Sequence, residues 1–107
     1  MQNNQAIKTV DITTKFWFDK TCGNTYFASR IILNYGMQDE KTIKLPFQYG
    51  SGSQPEFEAV KALKSANIIS NESSTSLWRV CEGLKIILRS NQYSKCLKRD
   101  VKEYGII

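Results

Sequence analysis

Three stretches in the first half of the chain alternate apolar and polar residues with a period of two, which is typical of strands that bury one face. Segments rich in Gly, Asn and Asp separate them and favour turns. The pattern predicts a three-stranded antiparallel meander, and Pro46, which cannot donate to a strand ladder, indicates that the third strand lies at an edge. The apolar faces are Val10, Ile12, Phe16 and Phe18, then Phe27, Ile31 and Leu33, then Ile43, Leu45, Phe47 and Tyr49.

Helical spacing replaces this alternation after the third strand. Ser53 is a candidate cap for the backbone N–H of Glu56, Pro55 suits a first helical turn, and apolar residues then recur at helical spacing until about residue 67. A serine-rich loop precedes a second helix at Leu77, and Cys81 on its apolar side reads as a small buried hydrophobe. Two short helices therefore follow the meander.

The sequence pattern of the C-terminal part of the chain fits both strand and helix. Residues 84–90 alternate again and predict a fourth strand. The stretch that follows fits a strand, but Leu97, Val101 and Tyr104 also share one side of a helix. We favour a short fifth strand followed by a turn of helix. The predicted fold class is α+β, a single domain over residues 1–107 with a three-stranded antiparallel meander, two short helices and a C-terminal basic strand.

The amino-acid composition limits the kinds of site that this chain can form. The 107 residues contain no apolar run long enough to span a membrane, and the polar start argues against a signal peptide, so we expect a cytoplasmic protein. Three widely spaced cysteines lack a C-x-x-C pair, and histidine is absent, which removes the usual imidazole bases and most transition-metal sites. We expect no enzyme, no metal and no cofactor.

The net charge of +5 is confined to one segment. Residues 85–102 hold six cations and a single carboxylate, so the remainder of the chain is neutral. Such a concentration favours an anionic partner, nucleic acid or an acidic protein surface, although lysines also occur on edge strands to prevent pairing between sheets. The candidate partner-binding residues of this segment are Lys85, Arg89, Lys95, Lys98, Arg99 and Lys102.

A second group of candidates follows from the alternation of the strands. If the apolar faces point inward, the opposite face of the meander gathers aromatic and cationic residues, namely Lys15, Trp17, Tyr26, Arg30 and Lys44. Rings that alternate with cations suit single-stranded nucleic acid, because bases stack on the rings while the cations neutralise phosphates. The alternative is a cross-strand pair of Trp17 and Tyr26 covered by a helix or by a partner subunit.

A glycine-rich loop, Gly50-Ser-Gly-Ser53, connects the third strand to the first helix. A strand, a glycine loop and a helix start are the parts of a phosphate-binding nest. No lysine follows the glycines as in a Walker loop, and the third glycine of a dinucleotide fingerprint is missing. We therefore interpret the loop as a hinge.

Three segments resemble small uncharacterised proteins encoded by bacteriophages: FDKTCGNTYFASRIIL at residues 18–33, LPFQYGSG at 45–52 and KRDVKEYG at 98–105. The resemblance implies a phage or mobile-element product that acts inside a bacterial cell, and it assigns no catalytic residue. We expect a non-enzymatic protein that binds nucleic acid through its basic C-terminal segment. The alternative is an inhibitor of a host protein, of the anti-defence or anti-CRISPR type, and a homodimer is compatible with either.

Overall fold

The structure, a computed structural model, describes residues 7–106. Residues 1–6, which form most of the polar start used above to argue against a signal peptide, lie outside the described residues. The class is α+β, as predicted. The elements in chain order are β1 (Thr9–Asp19), β2 (Asn24–Leu33), β3 (Lys41–Tyr49), α1 (Gln54–Ser65), α2 (Leu77–Gly83), β4 (Ile87–Tyr93) and α3 (Lys98–Tyr104).

The strands form one four-stranded mixed sheet in the order β3-β2-β1-β4. The pairs β1–β2 and β2–β3 are antiparallel, as the meander predicts, and β3 lies at an edge, as Pro46 indicated. However, β4 pairs with β1 in parallel, so the sheet is more than an antiparallel meander. The crossover through α1 and α2 is the cause, because it brings the chain back to the starting end of β1 before β4 begins.

The predicted C-terminal basic strand is wrong. The basic segment instead runs through β4, a short connection and the helix α3. A helix is favoured here because it buries Val101 completely on one side while the cations of the same helix remain exposed. The helical alternative, which rested on Leu97, Val101 and Tyr104, is the better description of this stretch.

The predicted alternation of β3 fails after Leu45. Leu45 pairs with Ser29, but Gln48 rather than Phe47 pairs with Phe27. An extra residue is therefore inserted at Pro46, which has no N–H for the ladder, and the strand forms a bulge. Because side chains alternate with a period of two, the bulge turns Phe47 and Tyr49 to the face of the sheet opposite Leu45.

One face of the sheet packs against α1 and α2 and forms the core. The hydroxyls of Thr14 and Ser29, 2.7 Å apart, satisfy each other within this layer. Ser76 caps α2 by accepting the N–H of Arg79, as its position in the sequence suggests. The core residues are Val10, Ile12, Phe27, Ile31, Leu33, Leu45, Ala59, Val60, Leu63, Ile69, Leu77, Val80 and Cys81.

Among the described residues, no helix has the length and the apolar character that crossing a membrane requires.

Candidate nucleic-acid interface

The face of the sheet opposite α1 and α2, here called the α3 face, carries the aromatic and cationic residues that alternation predicts. Trp17 pairs with Tyr26 across β1 and β2, and Arg30 pairs with Lys44 across β2 and β3. Lys15 lies on the same side of β1 as Trp17, two residues earlier. All five side chains are half-buried, so this surface is neither a core nor freely exposed.

The aromatic residues of this face form a continuous cluster. The ring centroids of Trp17 and Tyr26 lie 5.6 Å apart. Tyr26 stacks on Phe47 at 5.2 Å with nearly parallel planes, and Tyr49 meets the edge of Tyr26 at 5.8 Å. Sequence reasoning missed Phe47 and Tyr49 because strict alternation placed them on the other face. Pro46, which marks the bulge, was the available signal.

The helix α3 packs on this face. Its buried residue, Val101, lies over a sheet whose central position, Ala28, is also fully buried. The residue after the helix, Gly105, sits so close to β3 that an added Cβ would lie 2.9 Å from the backbone of Leu45, Pro46 and Phe47. Small residues on both sides therefore allow α3 to approach the bulge.

Two lysines of α3 lie above the aromatic cluster. The Nζ of Lys98 is 5.1 Å from the centroid of the Trp17 ring, and that of Lys102 is 5.5 Å from the centroid of Phe47. Both distances are within the range of cation–π attraction. Trp17 and Tyr26 thus form the cross-strand pair of the alternative interpretation, with α3 beside it, and both rings are half-buried.

Lys15 and Arg30 hold the end of α3. The Nε of Arg30 donates to the carbonyl of Tyr104 at 3.1 Å, and its guanidinium lies 4.2 Å from the centroid of the Tyr104 ring. The Nζ of Lys15 is 4.5 Å from the same centroid. Burial raises the pKa of Tyr104, while a hydrogen bond with Thr13 and the charge of Arg30 oppose that rise. These two cations serve the docking of the helix.

The exposed positive charge is concentrated on α3 and the connection before it. Lys95, Lys98, Arg99 and Lys102 are all exposed. Arg99 has a carboxylate partner, Asp100 at 3.6 Å, but this pair is largely exposed and such pairs contribute little. Among residues 7–106, no carboxylate lies within ion-pair distance of the three lysines.

Two residues of the predicted basic segment lie outside this surface. Arg89 forms a two-pronged ion pair with Asp11, at 2.6 and 3.0 Å, and that contact raises its pKa. Its charge is therefore balanced within the sheet. Lys85 precedes β4 and lies at the opposite end of that strand from Lys95.

The glycine loop packs tightly against neighbouring residues. A Cβ at Gly50 would lie 2.7 Å from the Cγ of Gln54 and 2.9 Å from the ring of Phe27, so the loop passes close to the core. Ser53 makes no side-chain cap, contrary to expectation. Instead its carbonyl accepts the N–H groups of Glu56 and Phe57, which leaves these donors unavailable to an anion.

No family model matches the chain, and no curated protein or solved structure is significantly similar to it. The resemblance to bacteriophage proteins therefore stays a prediction. A function has to be argued from the α3 face itself.

Proposed function

We propose that this chain is a small non-enzymatic protein that binds nucleic acid, and that the lysines of α3 contact the sugar–phosphate backbone. The observation that carries the proposal is the placement of Lys98 and Lys102. Each is exposed, each is held above an aromatic ring, and neither has a carboxylate partner within the described part of the chain. Unbalanced cations at fixed positions are suited to a polyanion.

The rings fix the lysines rather than stack on bases. Lys98 and Lys102 are four residues apart, so their Cα atoms are separated by about 6 Å along one side of the helix. An ammonium has three N–H donors, and those that point away from the ring remain available to phosphate oxygens. Because the ring restricts the lysine before binding, less side-chain entropy is lost when a phosphate is bound.

Neighbouring groups extend this surface on both sides. Lys95 and Arg99 add positive charge at the start of α3, and Lys44 lies on β3 opposite Arg30. Tyr49, at the margin of the aromatic cluster, is 66% exposed and has the most room to stack with a base. We therefore expect binding that depends mainly on phosphates and discriminates weakly between sequences.

The test is fluorescence anisotropy with labelled single-stranded DNA, duplex DNA and RNA at a series of salt concentrations. Lys98→Glu with Lys102→Glu should weaken binding by more than tenfold. If two phosphate contacts are lost on a single strand, the slope of log K against log salt should become shallower by about 1.4. The matched control is Lys61→Glu with Lys64→Glu on α1, which changes the net charge equally on the other side of the sheet. Equal effects from both pairs would contradict the proposal.

One observation favours a second candidate, an inhibitor of a host protein. The edge strand β4 is exposed along nearly its whole length, with only Leu88 half-buried. An extended protein segment can pair with such an edge. The N–H of Ile87 bonds to β1, so by alternation that of Ser90 points to the open edge. No binding to any oligonucleotide at low salt, together with a protein partner that is lost when Ser90→Pro blocks this edge, would favour this candidate. In either case we propose action in the cytoplasm of a bacterial cell, as a phage product would require.

A further inference from the structure

The end of β1 separates two neighbouring cavities. Phe18 and Lys95 line both of them. The first, about 360 Å³, lies on the side of the sheet that faces α1, since Phe16 and Thr25 contribute to its wall. The second, about 640 Å³, lies on the side of α3 and includes Trp17 and Lys20. Together they form a cleft that passes over Phe18, here called the Phe18 cleft.

Lys95 holds an unusual backbone conformation at this cleft. Its φ of 63° lies in the left-handed region, where glycine is relaxed and a lysine is strained. The turn between β4 and α3 directs this exposed lysine to both cavities, and no carboxylate among the described residues balances its charge.

The walls of the first cavity are chemically mixed. Two aromatic residues, Phe16 and Phe18, supply apolar surface, and Phe18 is 51% exposed. The polar residues Thr25, Ser51 and Gln92 line the same cavity. An alkyl chain would leave these polar groups unpaired, whereas a planar heterocycle can stack on the rings and bond to the polar groups at its edge. The volume lies at the small end of ligand sites, which fits a single ring system.

We propose that the first cavity of the Phe18 cleft binds a nucleotide unit, with its base against Phe16 and Phe18 and its phosphate on Lys95. The site extends the proposed function, since Trp17 lines the second cavity and also lies beneath Lys98 of α3. A strand that lies on α3 therefore reaches the cleft directly, and one unstacked base can pass over Phe18. A free nucleoside monophosphate presents the same chemistry.

The experiment is a two-dimensional amide NMR titration of the whole chain with the four nucleoside monophosphates. Nucleosides without phosphate and inorganic phosphate alone are the partial ligands. Saturable shifts at Phe18, Thr25, Ser51 and Gln92, with binding weaker for each partial ligand, are expected. Absence of saturable shifts, or shifts confined to α3, would overturn the proposed cleft.

The chain offers a closely matched control for the lysine. Lys85 is also exposed and has a φ of 58°, but it lies at the far end of β4. Lys95→Gly relieves backbone strain, so this variant should fold. It should weaken nucleotide binding by about tenfold or more, because a charge-assisted contact with the phosphate is lost. Lys85→Gly should leave binding unchanged. Equal effects of the two variants would refute the assignment.

Titration with oligonucleotides distinguishes a free nucleotide from a nucleotide unit within a strand. It also tests the Phe18 cleft separately from the proposed function. If mononucleotides fail to bind while oligonucleotides still bind through Lys98 and Lys102, the cleft is refuted and the proposed function stands. If mononucleotides bind in the cleft and no oligonucleotide binds, the proposed function is refuted and the free nucleotide is identified as the ligand.

Discussion

Replacing Gly105 by alanine tests whether α3 is held on the sheet by close packing at the β3 bulge. Gly105 has a φ of −93°, which any residue adopts, so the change introduces no backbone strain of its own. Its only consequence in the folded protein is steric. The new Cβ would lie 2.9 Å from the carbonyl oxygen of Leu45, the amide nitrogen of Phe47 and the Cα of Pro46.

The expected loss of stability in Gly105→Ala follows from these contacts. All three neighbours are backbone atoms, so no flexible side chain can move aside, and α3 or β3 must shift by several tenths of an ångström. Overpacking of this kind typically costs about 1–3 kcal/mol. Loss of conformational freedom in the unfolded chain offsets about 0.4–1 kcal/mol of that cost. Gly83→Ala carries the same offset and meets nothing within 4 Å, so comparing the two variants isolates the steric cost.

The assay is urea unfolding of both variants, followed by circular dichroism, together with amide hydrogen exchange in α3. We expect Gly105→Ala to be less stable than Gly83→Ala by about 1–3 kcal/mol. If α3 detaches locally, the amide protons of Val101 should exchange faster even where global stability changes little. Equal stability of the two variants, with unchanged protection of α3, would refute this account of the helix.

Two further changes test the core. Ser29→Ala should lower the free energy of unfolding by about 1–3 kcal/mol, because the buried Thr14 hydroxyl loses its partner at 2.7 Å. The double variant Ser29→Ala with Thr14→Val should recover part of that loss, as measured by urea unfolding. If the double variant instead loses the sum of the two single losses, the hydrogen bond is contradicted. Burial raises the pKa of the Cys81 thiol from 9.0 to about 11, so the folded protein retains a proton that the unfolded chain releases. Stability should therefore be full below pH 9 and fall towards pH 11, by up to about 1.4 kcal/mol per pH unit, and Cys81→Ala should flatten this part of the pH profile. An unchanged slope would contradict the burial of the thiol.

Local patterns were sufficient for much of the fold. Alternation predicted β1, β2 and β3, and helical spacing predicted α1 and α2, because each of these elements buries one face against the same core. Pro46 predicted the edge position of β3. The same alternation placed Trp17, Tyr26, Arg30 and Lys44 together on the opposite face, and the structure pairs Trp17 with Tyr26 and Arg30 with Lys44. These are consequences of side-chain direction, which the sequence carries by itself.

Only the tertiary structure decided the remaining features of the fold, because each of them depends on contacts between segments that are distant in the sequence. A seven-residue helix is too short to be stable alone, so α3 depends on the burial of Val101 against the sheet. The bulge at Pro46 depends on the register with β2, and it carried Phe47 to the α3 face. The parallel pairing of β4 depends on the path of the crossover. Composition therefore determined that this chain is basic, whereas packing determined that Lys98 and Lys102 stand above rings on one surface, because contacts between distant segments set their positions.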